Sequence, residues 1–106
     1  MRTLIAIAFL LFTPTSLGEV KKNDITVLQV NAYWNKEHNL NLKNLKGCDV
    51  QFAWLEDQNQ DFQKQIQTVP VVVIYYKNKA VRQWAADLSF KLDIDINEIQ
   101  QVVDKL

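Results

Sequence analysis

The chain has 106 residues, 48% of them hydrophobic, which is enough for one small core and not for two, so we expect a single domain. Its 12 basic residues balance its 12 acidic ones, and no basic stripe appears, which argues against a nucleic-acid partner. The single cysteine excludes an internal disulfide and a zinc site built from several thiols of one chain.

The N-terminal segment has the three parts of a secretory signal peptide. Arg2 supplies the positive region, and Leu4–Phe12 forms an unbroken apolar run. Ser16 and Gly18 place small residues at the −3 and −1 positions of a cleavage before Glu19.

We therefore predict a signal peptide over residues 1–18 and a mature domain over residues 19–106. The protein would be exported to the periplasm or the extracellular space, where conditions are oxidising. The apolar run is about half the roughly 20 residues that a membrane-spanning helix needs, so we expect no membrane association after cleavage. An uncleaved anchor is the alternative.

The mature chain alternates between strand-like and helix-like patterns. Runs of β-branched and apolar residues predict strands, and polar stretches with apolar residues at i and i+4 predict surface helices. The strands are predicted over residues 25–34, 48–55, 69–76 and 80–84, and the helices over residues 35–46, 56–67 and 95–106.

The first of these helical segments has an ambiguous pattern. Leu40, Leu42 and Leu45 are its apolar positions, and the Leu40/Leu42 spacing suits a strand or a loop as well as a helix. Gly47 is a plausible stop.

The other helical segments carry clearer signals. Phe62 and Ile66 share one face of a thin surface helix. Asp95 and Glu98 have capping-box spacing at the start of the last helix. The apolar stripe of that helix is Ile96, Ile99, Val103 and Leu106.

Alternation also assigns faces in the strands. Val50, Phe52 and Trp54 fall on one face of the second strand, and Cys48 is in phase with them, which points its sulfur toward the core. The Lys-Asn-Lys turn before the fourth strand predicts a hairpin in which Asn78 takes a positive φ. The order is β-α-β-α-β-β-α, an α/β domain with a four-stranded mixed sheet flanked by helices.

From Ile25 to Leu106 the chain resembles the minimal thioredoxin fold. Two segments carry this resemblance. "TVPVVVIYYKNKAV" resembles the family's segment in which an apolar residue precedes a cis-proline and a buried strand follows. "AYWNKEHN" resembles the family's Ala-x-Trp-Cys-Gly-Pro-Cys. Aligned on Ala32 and Trp34, the two cysteine positions hold Asn35 and His38, with Lys36 and Glu37 between them.

The resemblance implies a member of the family without its dithiol chemistry. Disulfide exchange needs one thiolate to attack and a second thiol to resolve the mixed disulfide, and neither Asn35 nor His38 supplies a thiol. Gln29 stands where redox-active members usually carry a buried acid. We therefore expect no dithiol oxidoreductase activity and no cofactor.

What the resemblance leaves at this site is a surface for a peptide or protein partner. In the family, the cis-proline loop pairs with an extended peptide beside a tryptophan. The matching candidates here are Trp34, Asn35, His38, Val69 and Pro70. The simpler alternative is that Pro70 only begins a buried strand.

His38 is the only histidine. Placed near a helix N-terminus, it would be held neutral and offer one donor and one acceptor, or it would be an ordinary solvent-facing residue. Glu37 and Asp57 could join it around a metal, but their spacing defines no site, and we predict no metal.

Cys48 leaves further functions open. We expect a buried, inert thiol, and the alternatives are a disulfide-linked homodimer or a single-thiol reaction. The competing functions are thus an enzyme using Cys48 or His38, and a structural assembly subunit that uses an exposed sheet edge.

The aromatic residues are numerous for so short a chain. Because a sheet covered on both faces buries aromatic side chains, we expect most of them in the core. They are Tyr33, Trp34, Trp54, Tyr75, Tyr76 and Trp84.

Overall fold

The computed structural model describes residues 24–106, and the predicted signal peptide lies outside them. The strands are β1 (Ile25–Asn31), β2 (Asp49–Trp54), β3 (Val71–Tyr76) and β4 (Lys79–Ala85). The α-helices are α1 (Gln60–Gln65) and α2 (Ile96–Asp104), and 3₁₀ helices cover Tyr33–His38 and Leu55–Asp57.

The four strands form one mixed sheet in the order β2-β1-β3-β4. β1 pairs in parallel with β2 and antiparallel with β3, and β3 pairs antiparallel with β4. β1 lies inside the sheet and is buried along its whole length, as its run of β-branched and apolar residues predicts. The predicted α/β sheet is confirmed.

Each face of the sheet carries its own core. Phe62 of α1 packs with Leu28 and Val30 of β1 on one face. On the other face, Ile99 and Val103 of α2 pack with Val27 of β1. The period of two along β1 divides its residues between these clusters.

The turn between β3 and β4 follows the prediction. Lys77 and Asn78 have φ values of 49° and 68°. Two successive positive φ values match the right-handed twist of the flanking strands, and Asn tolerates this region better than most residues.

The segment after β1 contains no α-helix. It forms a 3₁₀ helix over Tyr33–His38 and then runs irregularly to β2. Leu42 and Leu45 are buried in the α2-side core, which explains their apolar character without a helical face. Gly47 has a φ of 79°, a conformation that favours glycine, and it lies two residues before the start of β2.

The capping of α2 matches the prediction only in part. Asp95 accepts a hydrogen bond from the Asn97 N–H at 2.9 Å, as an N-cap should. The Glu98 carboxylate does not return to Asp95, because it accepts from Trp84 Nε1 at 3.2 Å and lies 3.7 Å from Arg82. The reciprocal capping box is therefore absent.

The expectation that most of the aromatic residues lie in the core is wrong. Of the six named, Tyr75 is buried, while Tyr33 and Trp34 are exposed. The others are half-buried. The reason is local: β1 ends at Asn31, so Tyr33 and Trp34 lie in an exposed 3₁₀ helix and not in a covered strand.

No helix within residues 24–106 is both long enough and apolar enough to cross a membrane.

Candidate functional site

The buried side chain of Asn35 joins three segments of the chain. Its Nδ2 donates to Asn31 Oδ1 at 3.0 Å, to the Val69 carbonyl at 3.2 Å and to the Phe90 carbonyl at 3.0 Å. Two amide hydrogens are thus shared among three oxygens. The first position of the family's dithiol motif holds a fully used hydrogen-bond donor.

Asn31, at the end of β1, forms further hydrogen bonds to the same segment. Its Nδ2 donates to the Asn35 carbonyl at 3.0 Å and to Asn39 Oδ1. Two residues earlier on the same face, Gln29 accepts from the Leu40 N–H at 2.8 Å and donates to the Leu40 carbonyl at 3.0 Å. Gln29 therefore anchors the irregular segment after the 3₁₀ helix.

The orientation of Asn35 fixes the role of His38. Since Asn35 Nδ2 faces carbonyl oxygens, its Oδ1 is the atom that accepts from His38 Nδ1 at 2.9 Å. The Nδ1 nitrogen therefore carries a proton, and Nε2 is the ring nitrogen that Asn35 leaves free. His38 lies in the last turn of the 3₁₀ helix, so the expected position near a helix N-terminus is wrong.

Trp34 stands next to buried Asn35 yet is 64% exposed. Its ring meets Phe90 edge-on with the centroids 4.9 Å apart. Leu88, in the same turn as Phe90, is 84% exposed. Trp34 and Leu88 therefore both present apolar surface to solvent.

The turn that carries Phe90 is held by its own hydrogen bonds. The Phe90 N–H donates to the Asp87 carbonyl at 3.0 Å, and the Ser89 N–H donates to Asp87 Oδ1 at 2.8 Å. The hydrogen bonds from the Ser89 side chain and backbone lower the pKa of Asp87. The turn thus fixes the carbonyl that Asn35 binds.

Val69 and Pro70 form the loop that precedes β3. The Val69–Pro70 peptide bond is cis. The Pro70 carbonyl accepts from the Ala86 N–H at 3.1 Å, and the Val69 carbonyl is held by Asn35. Among residues 24–106, the Val69 N–H finds no acceptor.

Cys48 lies apart from these residues. It precedes β2, whereas His38 follows the carboxyl end of β1, and the two strands run parallel. The length of β2, roughly 20 Å at about 3.3 Å per residue, separates the two positions. No hydrogen bond joins the thiol to the imidazole in the described part of the chain.

The surroundings of Cys48 disfavour its thiolate. The side chain is half-buried and packs against the α2-side core, as its alternation phase predicts. Burial raises the pKa of the Cys48 thiol, and the negative charges of Asp49 and Asp104 raise it further. A reactive cysteine needs the opposite surroundings, with positive charge nearby.

From the sequence, His38, Glu37 and Asp57 are considered as metal ligands and set aside. In residues 24–106 no group of three or more His, Cys, Asp or Glu side chains could hold a metal ion. Asp57 instead accepts a hydrogen bond from the Tyr33 hydroxyl at 2.7 Å.

Of the other four predicted binding candidates, His38 and Val69 contact the Asn35 side chain, and Trp34 and Pro70 are the sequence neighbours of Asn35 and Val69. Sequence reasoning missed Asn31, Asn39 and Phe90. Asn31 precedes Asn35 by four residues, which is a weak signal for a polar pair. Phe90 lies 55 residues away, and no sequence pattern indicates that its carbonyl meets Asn35.

Comparison with known proteins identifies the fold. No protein-family model matches the chain, and no curated protein matches its sequence. Among solved structures, a mutant thioredoxin from Halobacterium salinarum NRC-1 aligns with a TM-score of 0.59 and 17% identity, covering 86% of this chain and 82% of that one. Oxidised thioredoxin O2 from Arabidopsis thaliana aligns with a TM-score of 0.48 and 13% identity, covering 92% of this chain and 88% of that one.

At this level of identity the likeness concerns the fold. The mixed sheet, the hairpin and the helix on each face agree with it. With one cysteine in the whole sequence and Asn35 and His38 at the motif's sulfur positions, the chain has a thioredoxin-like fold without the Cys-x-x-Cys motif.

Proposed function

We propose that this protein is an exported, redox-inactive thioredoxin-like domain that binds an extended segment of a peptide or protein partner. The binding groove lies between Trp34 and the Val69–Pro70 loop, with Asn35 and His38 at its base. One observation carries the proposal: the buried Asn35 amide ties the Val69 carbonyl and the Phe90 carbonyl to the 3₁₀ helix, and the exposed Trp34 ring packs on Phe90.

The fixed walls favour binding. Asn35 ties the Val69 carbonyl and the Phe90 carbonyl to the 3₁₀ helix, so the groove is ordered before a ligand arrives. A preorganised surface loses less conformational entropy on binding than a mobile one. Exposed tryptophan is also the side chain most enriched among residues that dominate binding energies.

The backbone of the loop offers a specific contact. Val69 is buried, and within the described chain its N–H donates to nothing. The carbonyl of a bound peptide would supply the missing acceptor once the partner reaches this N–H. His38 Nε2 adds an acceptor at the base of the groove, since Nδ1 is engaged by Asn35.

This function needs no thiol. Cys48 lies at the other end of β2, and its surroundings favour the protonated form. The single-thiol or histidine-assisted enzyme is therefore the weaker alternative. Export rests on the signal-peptide pattern of residues 1–18.

Peptide display against the purified chain tests the proposal. Peptides selected on the wild-type protein should bind Trp34→Ala at least about ten-fold more weakly, because a central aromatic contact is lost. Affinity should be the same with and without a thiol reductant. Mass spectrometry of the purified protein identifies its N-terminus, and cleavage before Glu19 is expected.

Val81→Ala is the matched control. Val81 lies on β4 and is 46% exposed, so the substitution removes apolar surface at a position away from the groove. Its affinity should equal that of the wild type. Selected peptides that bind Trp34→Ala and wild type equally would contradict the proposed groove.

A further inference from the structure

One side of the sheet is open at β2. Val50, Phe52 and Trp54 point to the α2 side, in register with Val27, Gln29 and Asn31 of β1. Val50 is 42% exposed and Phe52 40%, and neither belongs to a core cluster. The segment after the 3₁₀ helix is tied to β1 through Leu40 and does not cover them.

Aromatic rings continue this surface beyond the end of β2. Phe52 meets Trp54 edge-on with the centroids 4.7 Å apart, and Tyr33 lies 4.8 Å from Trp54. Phe52, Trp54 and Tyr33 form an aromatic ridge. Trp34, next in sequence, instead contacts Phe90, so the ridge is separate from the proposed groove.

Two carboxylates border the ridge. Both oxygens of Glu56 accept from the Tyr33 N–H at 3.0 Å, and Asp57 accepts from the Tyr33 hydroxyl at 2.7 Å. Neither forms an ion pair with a Lys or Arg of the described chain. The hydrogen bond to Asp57 raises the pKa of Tyr33, and the charges of Asp57 and Glu56 raise it further, so this end of the ridge is electronegative.

The two edges of the sheet differ in their protection. β4 carries Lys79 and Arg82 and has a register irregularity against β3 between Ile74 and Tyr75. Charged side chains and bulges discourage pairing at an edge. β2 has neither Lys, Arg nor Pro, and its register with β1 is regular over six residue pairs.

We propose that the β2 edge accepts an extended segment of a basic partner by strand addition. Apolar side chains at alternate positions of that segment would pack on Val50, Phe52 and Trp54. A Lys or Arg beside them would meet Glu56 and Asp57 and lie over the aromatic ridge, where carboxylates and aromatic faces both attract a cation.

Charge disfavours a second copy of this chain as the occupant. An antiparallel β2 pair with Phe52 opposite Phe52 keeps the apolar faces together. The same register brings Asp49 of each copy beside Glu56 and Asp57 of the other. These like charges repel at both ends, whereas a segment with a basic residue at each end complements both.

A titration with synthetic peptides tests this surface on the full chain as purified. The probe has three Val residues alternating with Thr between two terminal Arg residues, so it satisfies the surface in either direction. A control peptide replaces both Arg by Glu. The Arg peptide should shift the amide resonances of β2, and its affinity should fall with added salt.

Paired variants separate the apolar and charged contributions. Phe52→Ser should weaken binding at least about ten-fold, since a central aromatic contact is lost. Val81→Ser, at similar exposure on β4, should change nothing. Glu56→Gln with Asp57→Asn keeps acceptors for Tyr33 and should flatten the salt dependence. Trp34→Ala should bind the probe as wild type does, which distinguishes this surface from the groove.

Several results would overturn the proposal. If the Glu peptide bound as tightly as the Arg peptide, the partner would not need to be basic. Resonance shifts at β4 instead of β2 would show that the peptide does not bind at the β2 edge. A dimer that dissociates in Phe52→Ser would assign the edge to a second copy. Protection of the outward β2 amides from hydrogen exchange in the free monomer would show that the chain covers this edge itself.

Discussion

The side-chain amide of Asn35 contacts β1, the Val69–Pro70 loop and the Phe90 turn. A thiol at this position could exchange disulfides but could not donate to several carbonyl oxygens at once. At the scale of one residue, Asn35 is a structural hydrogen-bond donor. His38 takes part in the same connection through Nδ1.

Asn35→Ala should lower the free energy of unfolding by about 2–3 kcal/mol, because it leaves buried carbonyl oxygens without donors. The midpoint of urea denaturation measures this loss. Asn44→Ala, which removes an exposed amide from an irregular segment, is the control and should change little.

Asn35→Asp should be more damaging at pH 7 than at pH 4. A carboxylate there would face carbonyl oxygens, so folding would raise its pKa above the unfolded value of about 3.9. The stability of the variant would be highest below the unfolded pKa and would be lost as pH rises through the folded pKa. Equal destabilisation at both pH values would contradict the assignment of Asn35 as a donor.

Cys48 should react slowly with iodoacetamide at neutral pH. Burial, with the charges of Asp49 and Asp104, raises the pKa of its thiol, so the thiolate fraction is below that of a free cysteine with a pKa of about 8.5. Asp104→Asn should lower the pKa and speed alkylation. Asp93→Asn, an exposed site on the loop before α2, is the control.

The raised thiol pKa also links stability to pH. The protonated thiol is favoured in the folded state, so its contribution is fully present below the unfolded pKa and is lost as pH rises through the folded pKa. If Cys48 were alkylated as fast as glutathione at pH 7, its thiol pKa would not be raised, and single-thiol chemistry would be favoured.

At the scale of elements, α2 holds one face of the sheet through a narrow stripe. Ile99 is fully buried among Val27, Ile74 and Leu42, whereas Val102 is half-buried at the margin. Ile99→Ala should lower the free energy of unfolding by about 3 kcal/mol through lost burial and a cavity. Val102→Ala should cost less than half as much, and thermal denaturation compares them.

The strands and α2 could be predicted because their signals are local. β1 is rich in β-branched and apolar residues, and Lys77–Asn78 is a turn whose chemistry is visible in the sequence. The segment after β1 was ambiguous for a physical reason: Leu42 and Leu45 are apolar because they fill the α2-side core, not because they share a helical face.

At the scale of the whole molecule, only those residues of the candidate site that belong to a recognisable motif could be predicted from the sequence. Trp34, Asn35, His38 and Val69 were found through their likeness to a motif. Phe90 was not, because its contact with Asn35 depends on how distant segments meet. The exposure of Phe52 was also missed, since alternation assigns a face but not whether a helix covers it.

Two adjacent residues, Tyr33 and Trp34, belong to different proposed surfaces. Trp34 turns toward Phe90 and the groove, and Tyr33 turns toward Trp54 and the edge of β2. Their separation predicts that Trp34→Ala and Phe52→Ser act on different ligands. A loss of both ligands in either variant would point to disrupted folding and would show in the denaturation midpoint.

Amide resonance mapping with a display-selected peptide tests the central claim most directly, performed before and after alkylation of Cys48. A redox-inactive binding groove predicts the largest shifts at the Trp34 indole N–H and the Val69 N–H, unchanged by alkylation. Shifts centred on Cys48, or binding abolished by its alkylation, would contradict the account and make the thiol the functional group.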